Sequence, residues 1–162
     1  MAAGVSLPKE KIDELRSRLN ENCNLTEEDL EEEILIDCDM PLDYITEDLV
    51  DSISLLEPYG TGNNKPVFAL KDVQIKRASY MGKEGQFLRL SLVTESGKNM
   101  TGLLFRKSKD FEALMTDRFG KMAWDGLFSG MDTGVTANII YQPSINEYRG
   151  NRSLQIIIDN FC

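Results

Sequence analysis

The side chains of this 162-residue chain best suited to chemistry on a ligand are cations and aromatic rings set near one another. Lys76 and Arg77 precede Tyr80, Arg89 follows, and Arg106 lies further on; Tyr148, Arg149 and Arg152 are grouped near the C-terminus. Ammonium and guanidinium groups pair with phosphates and ring faces stack on bases, so the combination suits an unpaired polynucleotide strand. Each residue also has an ordinary reading, as a solvated cation or a tyrosine half-buried in packing. Other reactive types are scarce. The chain has no histidine, which removes the commonest general base and transition-metal ligand. Asp37, Asp39 and Asp43 are close in sequence. However, 37 and 39 fall on one side of a strand, and nothing supplies the nucleophile-positioning partner that metal-assisted hydrolysis needs. Cys23, Cys38 and Cys162 have no C-x-x-C spacing, so neither a disulfide framework nor a zinc site is expected.

The elements that must position these groups change character midway. Residues 1–57 hold 4 Lys/Arg against 17 Asp/Glu, a net charge of −13, whereas residues 58–162 hold 14 against 10, a net charge of +4. The first part repels a polyanion and the second can attract one. The change falls at Leu55–Phe68, where Pro58, Gly60, Gly62 and Pro66 make a joint of special backbone geometry. Before it, Pro8 suits the first helical position, and Ile12, Leu15 and Leu19 mark one apolar helix face. Thr26 and Asp29 form a capping-box pattern, Glu31–Glu33 read as a solvated run, and Ile34–Met40 has the content of a short strand. Ile45, Leu49, Ile53 and Leu56 predict a second helix up to Pro58. A helix, a strand and a helix enclose little core alone, so residues 1–57 read as the remnant of an α/β domain, with apolar faces at Ile12, Leu15, Ile45 and Leu49 left exposed.

After the joint the period is two. Val73 and Ile75 alternate with Gln74 and Lys76, and Leu88, Leu90 and Leu92 alternate with Arg89 and Ser91, with Gly82–Gly85 as the turn between. Lys76 and Arg89 therefore point outward, and Arg77 joins them if the strand bends. Met100–Phe105 is a third strand, and Ser108 is placed to cap a helix whose face is Phe111, Leu114, Met115 and Phe119. Residues 121–132 read as an irregular loop whose Trp124, Leu127 and Phe128 look exposed, although they are expected to fold back and close the sheet. Val135–Tyr141 and Leu154–Ile158 are the last strands, joined by a turn over Asn146–Asn151. Three strands, a helix and two strands is the order of a five-stranded OB-fold barrel; an SH3-like barrel, which lacks the helix, ranks second. Without a signal peptide or a span of about 18 apolar residues, a cytoplasmic location is expected.

Leu56-Glu-Pro-Tyr-Gly-Thr-Gly-Asn63 followed by Lys65-Pro-Val-Phe68 resembles the joint that precedes the OB domain of the bacterial RecJ single-strand-specific exonucleases. Asn146–Asp159 resembles the last hairpin of that domain, and Met1–Leu7 the stretch after the Gly-Gly-His element of the family's DHH-associated domain. Tyr59 replaces the family's usual Phe, and Asn64 its usual Pro. The resemblance implies the end of a DHH-associated domain and a connector helix over 1–57, a joint over 58–66 and an OB domain over 67–162. The family's metal-binding DHH motifs are missing from this chain. The implied reading is therefore a non-catalytic, single-stranded-DNA-binding part of a 5′→3′ exonuclease of repair and recombination, whose Mn²⁺ or Mg²⁺ belongs to the rest of the parent. Implied partners are single-stranded DNA, the parent's other domains and a single-strand-binding protein. Tyr59, Gly60, Gly62 and Asn63 would either line the DNA path with backbone N–H groups or form a structural hinge. The alternative reading is a protein-docking or architectural module.

Overall fold

The computed structural model describes residues 4–26, 29 and 34–162, and the chain divides into two compact units at Ile34 and Leu35. In the first unit, Pro8 leads into a 3-10 turn over Lys9–Lys11 and then α1 (Ile12–Glu21). Pairs at helical spacing lace its surface: Lys11–Glu14 at 2.6 Å, Arg16–Asp13 at 3.0 Å and Arg18–Glu14 at 3.0 Å. Such exposed pairs contribute only tenths of a kcal/mol each. Ile12 and Leu19, on the predicted apolar stripe, are exposed. The capping box forms as the sequence suggests: the Thr26 N–H and hydroxyl both donate to Asp29 Oδ2 at 2.8 Å, and the Asp29 N–H returns a bond to Thr26 Oγ1 at 3.3 Å. Met1–Ala3 and Glu31–Glu33 lie outside the described residues.

The second unit contains six strands: β1 (Cys38–Asp39), β2 (Phe68–Met81), β3 (Phe87–Val93), β4 (Asn99–Leu104), β5 (Thr136–Tyr148) and β6 (Asn151–Phe161). β2, β3 and β4 run antiparallel, β4 pairs with β6 in parallel, β6 returns antiparallel on β5, and β5 pairs with β2. Five strands thus close into a ring, and β1 adds a short parallel pairing to β2 at Phe68 and Ala69. β2 serves two partners by bending. Its first half pairs with β5 and its second with β3, and register shifts fall between Leu70 and Val73 and between Ile75 and Arg77, as bulges in strongly coiled strands do. At the first bend Asp72 has φ 53°, and its N–H donates to Asn138 Oδ1 at 3.0 Å.

The ring's interior holds the alternating residues the sequence predicts, among them Val73, Ile75, Leu88, Leu90, Leu92, Ile139, Ile156 and Ile158. Gly102 sits in the same layer, where a Cβ would meet Ile158 Cδ1 and Leu92 Cδ1 at 3.0 Å, so the ring's width depends on its missing side chain. Between β4 and β5 stand α3 (Ser108–Phe119) and α4 (Lys121–Phe128), with Gly120 at φ 86° ending one and opening the other. The expected loop at 121–132 is thus mostly helix. Its Trp124 is 1% exposed and Leu127 is fully buried, joining Phe111 and Met115 in the core. Each such side chain contributes about 1.5–3 kcal/mol by leaving water. Ser108 does not cap α3. It is the first helical residue, and its hydroxyl donates to Gln86 O at 2.9 Å, fastening the β2–β3 turn.

The segment before the joint belongs to this second unit from Leu35 onward. Asp37 accepts from the Val67 N–H at 2.8 Å, the Tyr141 hydroxyl donates to Met40 O, and Asp43 accepts from the Ser96 N–H at 2.8 Å and from its hydroxyl. These bonds hold Asp43's carboxyl below its ordinary range. α2 (Glu47–Ser54) starts at Thr46, whose hydroxyl accepts from the Leu49 N–H at 3.1 Å. Ile45 therefore precedes the helix and is buried, at 4% exposure, with Leu42 beside it in the core; Leu49 is partly buried against the same cluster. The face at Ile45 and Leu49 is thus covered, where the sequence suggested an open one. Among the described residues no helix is long and apolar enough to cross a membrane.

Candidate nucleic-acid interface

Strand parity sorts the candidate residues. Leu88, Leu90 and Leu92 point inward, so Phe87, Arg89 and Ser91 face out on β3. The bulge after Ile75 leaves Lys76 exposed and brings Arg77 opposite Ser91, with Ser79 opposite Arg89. On β4, Thr101 and Leu103 continue this outer face, and on β6 Gln155 lies opposite Thr101. The result is an open trough. One part, of about 590 Å³, runs along Arg77, Ser79, Arg89, Ser91, Asn99 and Thr101. A second, of about 320 Å³, shares Arg89 and Thr101 and extends to Gln155, Ser153 and Asn146. Its floor mixes hydroxyl and amide groups with the apolar Met81, Leu103 and Leu154, and its cations are Arg77 and Arg89. Among the described residues neither arginine is held in an ion pair.

Aromatic rings border this trough. Phe87 and Phe105 meet edge to face at 5.4 Å, and Phe105 is 45% exposed. Neither was singled out in the sequence, although Phe87 has the parity opposite to the core leucines. Tyr80 stands at the same end of the β2–β3 ladder with inward parity, opposite Leu88, and lines the trough's first part with Phe128. Its ring stacks on Phe128 at 5.2 Å, and its hydroxyl donates to Glu112, which also accepts from Lys121 Nζ at 3.1 Å. Desolvation, followed by the Glu112 contact, pushes the Tyr80 phenol up to about 12, while bonds from Tyr80 and Lys121 lower Glu112. One face of the Tyr80 ring is thus taken.

The β5–β6 hairpin is longer than the expected turn. Strand pairing continues to Tyr148 and Asn151, and Arg149 and Gly150, with φ 51° and 79°, make the two-residue connection, the left-handed pair that suits a tight hairpin. Asn146 pairs with Ser153 and Tyr148 with Asn151, so Tyr148 lies on the trough's side. It is 62% exposed, and the Arg149 guanidinium sits 5.2 Å from its ring centroid. Arg152 pairs with Glu147 on the opposite side, where it reaches Glu47 at 3.3 Å and Asp51 at 2.8 Å. Arg106 is outside the trough: with Lys65 it opposes the burial that raises Asp159 on β6.

The joint is closed on itself. The Gly60 N–H donates to Asn63 O at 2.9 Å, the Asn63 N–H donates to Gly60 O at 3.0 Å, and Gly62 has φ 82°. Asn63 Nδ2 donates to Leu56 O at 2.8 Å and Pro58 O at 3.0 Å, and the Tyr59 hydroxyl donates to Ile53 O at 2.7 Å. The hydroxyl gained at Tyr59 therefore ties the joint to α2. Of the acidic trio, Asp37 and Asp43 hold N–H groups as described, and among the described residues no cluster suited to a metal ion is found.

Comparison with known proteins bears on the fold and the family. Residues 36–160 match the family model described as the RecJ OB domain. The chain is 26% identical over 160 residues to the single-stranded-DNA-specific exonuclease RecJ of Bacillus subtilis (strain 168), covering 98% of this chain but 18% of that protein. Crystal structures of RecJ from Thermus thermophilus superpose on it. The complex with Mg²⁺ gives a TM-score of 0.65 at 16% identity, over 96% of this chain and 21% of the other. The complex with Mn²⁺ gives 0.61 at 14% identity, over 97% and 20%. The chain thus spans about a fifth of the length of the proteins it matches.

Proposed function

The chain belongs to the RecJ OB domain family, and from that premise we propose that it is the single-stranded-DNA-binding region of a RecJ-like nuclease. The parent would degrade single strands 5′→3′ in DNA repair and recombination, with cleavage and the Mn²⁺ or Mg²⁺ belonging to its other domains. This region would hold the strand, not cut it. The observation that carries the reading is the sorting of side chains on the outer face of β2, β3, β4 and β6. Arg77 and Arg89 supply phosphate contacts, Ser79, Ser91, Thr101 and Gln155 make a polar floor, and Phe87, Phe105 and Tyr148 stand where bases can stack. Stacking works with any base, so binding would be tolerant of sequence.

Lys76 and Arg149 would add charge at the trough's two margins. Tyr80 would act through its stack with Phe128 more than as an open platform. Tyr59, Gly60, Gly62 and Asn63 form a hinge that orients the trough toward the rest of the parent, and Arg106 would add long-range attraction. The docking alternative draws on the overall acidity and on Trp124, Leu127 and Phe128; Trp124 and Leu127 are buried, which leaves that reading the net charge of −9. Fluorescence anisotropy of a labelled oligothymidylate against the chain is the test. Binding that weakens steeply with added salt is expected; no binding at low salt would remove the proposal.

A further inference from the structure

The β5–β6 hairpin projects beyond the ring with every residue from Asn146 to Ser153 exposed. A two-stranded ribbon is marginal alone, and its far end carries Tyr148 and Arg149. What braces it is on its other side. Glu47 and Asp51 lie one helical turn apart on one face of α2, and both reach Arg152, at 3.3 and 2.8 Å. α2 is itself well anchored. Ile53 is buried in the core, and Ile53 O accepts the Tyr59 hydroxyl at 2.7 Å. Arg152 therefore joins a fixed helix to a projecting ribbon. By strand parity its side chain leaves the ribbon on the side away from Ser153 and the trough.

We propose that Arg152 is a positioning residue for strand binding: clamped by Glu47 and Asp51, it sets where Tyr148 and Arg149 stand over the trough, without itself touching the strand. The inference rests on the reading of the trough as the strand-binding face. It has an unusual corollary. Removing the two carboxylates makes the chain less acidic, which by through-space attraction alone favours a polyanion. The clamp demands the reverse, because the freed ribbon must be ordered again on binding.

The test is salt-dependent anisotropy of the 162-residue chain with labelled oligothymidylate. Arg152→Gln and the pair Glu47→Gln/Asp51→Asn are each expected to weaken binding about threefold, the scale of an exposed ion-pair cluster. The salt slope should stay at the wild-type value, and combining all three changes should weaken binding no further. Arg152→Lys, which keeps a cation facing both carboxylates, should hold affinity to within about twofold of wild type. Tighter binding by Glu47→Gln/Asp51→Asn would overturn the clamp. So would a slope reduced by about 0.7 in Arg152→Gln, the mark of a lost phosphate contact, or an Arg152→Lys variant as weak as Arg152→Gln. Those results leave the strand-binding reading standing, whereas failure of the wild-type chain to bind removes both.

Discussion

Arg77 and Arg89 are diagonal neighbours on the outer face of β2 and β3, Arg77 standing opposite Ser91 and Arg89 opposite Ser79. Such positions are about 7–8 Å apart, so two guanidinium groups share one patch with no carboxylate among the residues that line it. An anion between them relieves their repulsion. Arg77→Gln and Arg89→Gln should each reduce the salt slope of oligonucleotide binding by about 0.7 and weaken binding roughly tenfold at low salt. An unchanged slope in both variants would place the strand elsewhere.

Phe105, 45% exposed, stands beside that patch with Phe87. Phe105→Ala should weaken binding by about 1–3 kcal/mol, the worth of one stacked base, and similarly for oligothymidylate and oligoadenylate. Phe105→Trp should retain affinity. Thermal melts of the same variants separate lost stacking from lost fold, because a ring 45% exposed gives up little burial on truncation.

Trp124 tests the helix that replaces the expected loop. Its ring lies 6.0 Å from Phe111 and 5.4 Å from Phe128 and is buried. Trp124→Ala should lower stability by about 3–5 kcal/mol in urea titration. Lys121→Ala removes only exposed pairs to Glu112 and Asp125 and should change it by less than about 1 kcal/mol. Equal losses would mean that α4 is not part of the core.

Asp43 gives the unit an acid-sensitive fastening. The Ser96 hydroxyl and N–H lower its folded-state pKa below the ordinary 3.8, so the unfolded chain binds the proton first as pH falls. The stabilisation is complete above that ordinary value and is lost as pH drops through the depressed one. Asp43→Asn should melt below the wild type at pH 7, with the gap narrowing at pH 3 and below. A gap that stays constant across the range would show that the carboxylate's charge is not what matters.

Much of this unit is legible from residue order, and the gaps have physical causes. Alternation at Val73–Ile75, Leu88–Leu92 and Leu154–Ile158 identifies strands because one face must be dry. It says nothing of partners: closure of the sheet is expected from the element order of an OB barrel, and the register of the β4–β6 and β5–β2 pairings is not legible in it. α4 escaped notice because it is short and contains Gly126, which sits where a Cβ would meet Thr133 Cγ2 at 2.7 Å; the glycine serves packing but reads as a loop. Arg77 reaches the outer face through the bend that the sequence offers only as a condition, because bulges leave no reliable residue signature. Arg152 looked like its neighbour Arg149 because sequence shows charge and not the side of a ribbon. Phe87 and Phe105 could have been found from parity alone.

The two-partner course of β2 has a consequence for how the chain is made. Its first half, Phe68–Gln74, pairs with residues of β5 that follow it by more than sixty positions, and Thr101–Leu103 of β4 pair with Gln155–Ile157. Synthesis proceeds from the N-terminus, so a nascent or truncated chain ending after α4 displays two open hydrogen-bonding edges at once. Open edges recruit other strands. Chains cut before Thr136 should therefore collect in the insoluble fraction on expression, however well α3 and α4 have formed.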